Sequence, residues 1–147
     1  MRPDPSADAH SPAAVAARLA AGHDQAWLRE VVSRLDSSLQ RGALERLIAL
    51  WGVSSAEAAG FFGVSRQAFA KWLKSGPPAD RAPAVAALED ATELLARHLR
   101  RERIAAVVRR PSALTAQRSL LQMAAAGRHD EVLCAVRAMF DLRRVQP

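Results

Sequence analysis

Apolar residues recur three and four apart along most of this 147-residue chain, and that spacing predicts helices separated by short breaks. Near the N-terminus, Val15 and Leu19 share a face over residues 12–21, with Pro12 at its start and Gly22 as the stop. Asp24 is placed to cap a second helix, running to about residue 39, with Leu28, Val31, Val32, Leu35 and Leu39 on one side. Gly42 reads as a separator. After it, Leu44, Leu47, Ile48, Leu50 and Trp51 form the apolar face of a helix over 43–51, closed by Gly52. Two short helices then follow within SAEAAGFFGVSRQAFAKWL. The run Ser75-Gly76-Pro77-Pro78 breaks the second of them. Val85, Leu88, Leu95 and Leu99 predict one long helix over about 81–101, with Glu89 and Glu93 sharing a solvated face with Arg97. Pro111 opens a loop, 118–126 reads as a short helix stopped by Gly127, and Val132, Leu133, Val136, Met139 and Phe140 mark a last helix over about 130–142. The expected fold class is all-α.

The two short helices carry the most specific local chemistry. Ser54 and Glu57 stand in the S-x-x-E spacing of a capping box, which satisfies backbone donors where a helix begins. Ala59 is small where two helices must approach, and Gly63 sits where a tight turn calls for a positive φ. Phe62, Val64, Phe69 and Trp72 supply apolar contacts around that turn, and Ser65 is placed to cap the second helix. The spacing of Ala59, Gly63, Phe69 and Trp72 resembles the helix-turn-helix of DNA-binding proteins. In that motif the second helix lies in the major groove and its first residues meet base edges. The residues expected to meet DNA are Ser65, Arg66, Gln67, Ala70, Lys71 and Lys74. Arg66 suits guanine and Gln67 adenine, whereas Lys71, Lys74 and Ser65 suit phosphates. A purely structural helical hairpin is the alternative reading of the same residues.

Charge adds to this picture. The net charge is +6; residues 1–50 balance six basic against six acidic groups, and the excess lies wholly from residue 51 onward. That balance is consistent with a polyanionic partner such as double-stranded DNA. Arg100, Arg101, Arg103, Arg109 and Arg110 are the densest basic cluster; a solvated amphipathic face is preferred to phosphate contacts. No apolar run approaches the length of a membrane span. The N-terminus lacks an apolar signal core, so the expected location is cytoplasmic. The single Cys134 falls in an apolar helical pattern and is expected to be a buried small residue.

The order of parts resembles the Xre/MbcA/ParS family of bacterial antitoxins. Two stretches carry the likeness, GVSRQAFAKWLKSGPPADR and RRPSALTAQRSLLQMAAAGRHDEVLCAVRAMF, and with the helix between them it covers about residues 43–142. The resemblance implies an autoregulating repressor that joins a helix-turn-helix domain to a C-terminal toxin-binding domain, with a RES-type NAD-degrading toxin as partner. Arg118, Ser119, Gly127 and Glu131 match the family stretch. Arg143, Arg144, Val145, Gln146 and Pro147 occupy the place of its toxin-blocking tail. Where many members carry a Gly-Gly-Arg-Ser-Pro-like run, this chain has Ala116-Gln117-Arg118-Ser119-Leu120.

The expected organisation is an N-terminal arm over 1–42 with one or two helices, a helix-turn-helix domain over 43–76, and a long connecting helix leading into a small C-terminal helical domain, together 77–147. The arm suits either packing onto the core or dimerisation, and a dimer on a two-fold DNA site is expected. No catalytic constellation appears, and no cofactor is expected. His10, His23, His98 and His129 are far apart and lack ligand partners at zinc spacing. The acids of His129-Asp130-Glu131 fit a helix N-terminus. A protein-interaction module with little DNA binding, or a plain helix-turn-helix regulator without a toxin, are the alternative functions.

Overall fold

The computed structural model describes residues 16–17 and 25–145, with side chains as far as Asp141. Apart from Ala16 and Ala17, the helix expected over 12–21 lies outside the described residues, as does Asp24. Among the described residues there are seven α-helices, two 3₁₀ turns and no strand, so the architecture is all-α. Packing separates residues up to Asp36 from a unit that begins at Ser37.

Helix α1 runs Gln25–Trp51 in one piece. The break expected at Gly42 does not occur. Glycine in a helix interior costs only about 1 kcal/mol relative to alanine, and Gly42 is exposed with open space around it. Nothing there forces the chain to turn.

Helices α2 (Ser55–Phe61) and α3 (Arg66–Ser75) follow. The Ser54/Glu57 capping box is present in both directions, at 3.1 and 2.8 Å. Gly63 turns the chain at φ 63°, and the Val64 amide closes the turn onto the Ala59 carbonyl at 3.1 Å. Gly76 ends α3 at φ 85°. A Cβ there would stand 2.8 Å from that of Ser37, so the stop also serves a close approach to α1.

A 3₁₀ turn, Ala79–Arg81, leads into α4, Ala82–His98. The single long helix expected here is two. Leu99 is extended at φ −122°, ψ 150°, and α5 restarts over Arg101–Arg109. Helical geometry explains the break. On an uninterrupted helix Ile104 would lie about 180° from Leu95, facing away from the core, whereas both are fully buried. After α5, the expected loop is a compact turn. Ser112 and Arg118 form an isolated β-bridge around the 3₁₀ turn Ala113–Thr115, and the single hydroxyl proton of Thr115 is shared between the Ser112 and Arg118 carbonyls. Helix α6, Leu120–Ala125, starts later than expected because Ser119 and Gln122 form a second capping box. Helix α7 is His129–Val145 and packs most extensively along α4.

One core runs through the unit that begins at Ser37. It joins Leu44, Leu47 and Trp51 of α1, Phe61 and Phe69 of α2 and α3, Leu88 and Leu95 of α4, and Val132 and Val136 of α7. It therefore does not stop at Gly76. Trp51 lies at its centre, its ring against Phe61 at 5.8 Å and its indole N–H donated to Thr92 Oγ1 at 3.1 Å. The expectation that Trp51 and Trp72 are core residues holds. His98 stacks on Phe140 with centroids 4.3 Å apart. Cys134 is exposed rather than buried: the core face of α7 is set by Val132, Ala135, Val136 and Phe140, and at about 100° per residue position 134 falls on the opposite side of the helix.

Candidate nucleic-acid interface

The residues expected to meet DNA fall together on one side of α3. At about 100° per residue, Arg66, Ala70 and Lys74 form one row and Gln67 and Lys71 the next, within an arc of about 140°. All five are exposed, as is Ser65 before them. The opposite face buries Phe69 and Trp72. Ser65 Oγ accepts the Ala68 amide at 3.1 Å, which leaves its hydroxyl proton able to donate outward. The first-turn amides add the partial positive charge of a helix start. Among the described residues, no ion pair involves Arg66, Lys71 or Lys74.

The buried side of this helix pair is an aromatic cluster. Phe62 lies parallel to Phe69 at 6.2 Å and tilted against Trp72 at 5.6 Å, and Phe69 meets Trp72 at 6.2 Å. His129 at the start of α7 stacks on Phe62 at 5.5 Å. These rigid rings fix the buried face of α3 against Phe62 at the end of α2, with His129 behind it.

Basic side chains from elsewhere then hold the helix ends. Arg41 Nη1 donates to the Lys74 carbonyl at 2.8 Å, at the end of α3. Arg81 Nη1 donates to the Phe62 carbonyl at 2.8 Å, at the end of α2. A ring nitrogen of His129 meets the neighbouring Phe61 carbonyl. Arg109 reaches the Trp51 carbonyl at 2.7 Å and that of Gly52 at 2.6 Å, at the end of α1. Helix C-termini carry partial negative charge, so guanidinium groups are favourable there. Arg109 is thus held in a structural role, away from phosphate contact. Sequence reading missed the contacts of all four side chains, because the partners lie 19 or more positions apart.

The residues matched to a toxin-binding surface divide. Arg118 and Glu131 line a shallow groove of about 520 Å³ with Leu114, Met123, Arg128 and Cys134. Within it Arg128 pairs with Glu131 at 3.4 Å. Ser119 is only 4 % exposed, and its hydroxyl accepts the Gln122 amide at 3.0 Å. Arg143, Arg144 and Val145 belong to the last turn of α7 rather than to a separate tail; Gln146 and Pro147 lie outside the described residues. Ala116 and Gln117, where the family pattern carries glycines, both have positive φ, 51° and 63°. Among the described residues, no three His, Cys, Asp or Glu side chains group as a metal site, and no helix is long and apolar enough to cross a membrane.

Compared with protein families, with curated proteins and with solved structures, the chain finds no match in any of the three.

Proposed function

We propose that this chain is a sequence-specific DNA-binding transcriptional regulator of the helix-turn-helix type, acting in the cytoplasm, with α3 as the helix that enters the major groove. The observation that carries the reading is the exposed arc of Arg66, Gln67, Ala70, Lys71 and Lys74 on a helix whose other face is locked by Phe69 and Trp72. Arg66 and Gln67 stand at the helix start, where base edges are met, and Lys71 and Lys74 further along suit phosphates. The small Ala70 lets the helix approach the groove floor between longer side chains.

The test is fluorescence anisotropy on DNA from upstream of the gene, with unrelated DNA as control, across a salt series. Tight binding that prefers the upstream DNA is expected. Arg66→Ala should cost about 1–3 kcal/mol and relax one base position, whereas Lys74→Ala should weaken all sequences alike and flatten the salt slope by about one. Equal, steeply salt-dependent binding to both DNAs would mean charge attraction alone and would sink the reading.

Within this reading, the chain is an autoregulating antitoxin of the Xre/MbcA/ParS kind. The positive φ at Ala116 and Gln117 supports that assignment, because a Gly-Gly pair serves that same backbone shape. Leu120 is the first residue of α6, and proline is at home in that position. The missing glycines and proline therefore leave the local shape unaltered. A second reading, a module that binds a protein partner, is favoured by the groove that brings Arg118 and Glu131 together. Co-purification with a RES-type protein encoded beside it, lost on Arg118→Glu, is the result that reading requires.

A further inference from the structure

Helix α1 carries a second apolar face that the core does not use. Val32, Leu35 and Leu39 are 55 %, 60 % and 74 % exposed, and Leu28 is half-buried. Their steps of four, three and four are the alternation of the two seam positions of a coiled coil. At about 100° per residue this stripe lies roughly 120° around the helix from Leu44, Leu47 and Trp51, so it does not extend the buried face. It is also bounded. The next seam positions outward are Gln25 and Gly42, which offer a polar end and no side chain.

We propose that this stripe pairs antiparallel with the same stripe of a second copy of the chain. In that register Leu28 faces Leu39 of the second copy and Val32 faces its Leu35. The two-fold axis repeats both layers, so every apolar residue of the stripe finds an apolar partner of similar size. Charge selects the direction. Arg29 and Asp36 flank the stripe on the same side, and the antiparallel register sets Arg29 opposite Asp36 of the second copy, twice over. Neither residue takes part in an ion pair within the chain among the described residues. A parallel pair would instead place Asp36 beside Val31 and Arg29 beside position 24, which lies ahead of the first residue of α1 and outside the described residues. The Glu30–Arg34 pair, at 2.9 Å, lies on the outer face in either case. Because α1 is already a helix in each copy, association does not carry the cost of helix nucleation.

Sedimentation equilibrium of the full chain across the micromolar range tests this. The mass should move from one chain to two as concentration rises. Leu35→Glu should weaken the dimer on the order of a hundredfold, since the residue enters two layers and each loss is worth roughly tenfold. It should leave the helical circular dichroism and melting of the monomer unchanged, because Leu35 is exposed. Arg29→Glu or Asp36→Arg alone should weaken pairing several-fold, and the two together should restore it. Four outcomes overturn the proposal. One is a monomer at every concentration, and another is a dimer indifferent to Leu35→Glu. A third is a double reversal that fails to rescue, which would mean another direction of pairing. The last is a Leu35→Glu monomer with lowered melting temperature, which would put the chain's own residues on the stripe. The measurement contains no DNA, so this pairing and the DNA-binding reading fail separately.

Discussion

Thr92 shows how much one side chain can settle. It is fully buried, donates its hydroxyl to the Leu88 carbonyl at 2.7 Å, and accepts the Trp51 indole N–H at 3.1 Å. Thr92→Val keeps the shape and removes the acceptor, leaving that N–H buried without a partner. The expected loss is about 1–3 kcal/mol in urea unfolding, while Thr92→Ser should retain the hydrogen bond and lose less. Equal losses in the two variants would mean that packing, not the hydrogen bond, matters at this site. Nothing near Thr92 in the sequence announces this role, since a threonine inside a helical pattern reads as neutral filler. Ser54 and Gly63 were legible, because a capping box and a tight turn are local devices, complete within a few residues. Ser119 carried the same kind of signal, with Gln122 three positions on. Its likeness to a family stretch drew it instead toward a binding role that its burial does not allow.

Helix boundaries follow the same division between local and distant causes. Where a proline or a capping residue acts alone, as at Ser65 or Pro77-Pro78, the pattern predicts the boundary. Gly42 looked like a stop and is not one, because its intrinsic cost is small beside the helix formers around it. Leu99 looked like helix and breaks it, because Ile104 and Val108 must be brought back to the core. No local residue signals that demand. The ends of α1, α2 and α3 depend likewise on arginines from other elements. Arg109 is the clearest case, reaching the last carbonyls of α1 from α5. Arg109→Ala should cost about 1–2 kcal/mol in thermal or urea unfolding, whereas Arg103→Ala, exposed on the same helix, should stay within about 0.5 kcal/mol. A matched loss from both would mean that general charge, not the cap, stabilises this end.

For the molecule as a whole, the charge excess from residue 51 onward was plain in the sequence, and so was the polar arc of α3. How the charges tie helices together was not. The Glu93–Arg97 pair was visible as a local i, i+4 step and is present at 2.9 Å. The stronger tie comes from α1: Arg46 meets Glu93 at 2.7 Å and Glu89 at 3.4 Å, a contact across 47 positions that no periodicity encodes. The hydrogen bond from Arg46, and after it that from Arg97, holds the Glu93 carboxyl below the usual carboxylate range. The native state therefore binds this proton less readily than the unfolded chain, and stability must rise with pH across the interval between the two values. The contribution is complete above the ordinary glutamate pKa of about 4.3 and is lost as pH falls through the lower native value. Melting temperature measured from neutral pH into acid should fall more steeply for the native protein than for Glu93→Gln, which has no carboxyl to protonate. At neutral pH the variant should be the less stable of the two, and below the native value the gap should close. A gap that stays constant over the whole range would show that Glu93 acts through its packing and not through its charge. Because Glu93 is partly exposed, added salt should narrow the neutral-pH difference as well, and a difference indifferent to both salt and acid would leave the ion pair between α1 and α4 with no part in holding the two helices together.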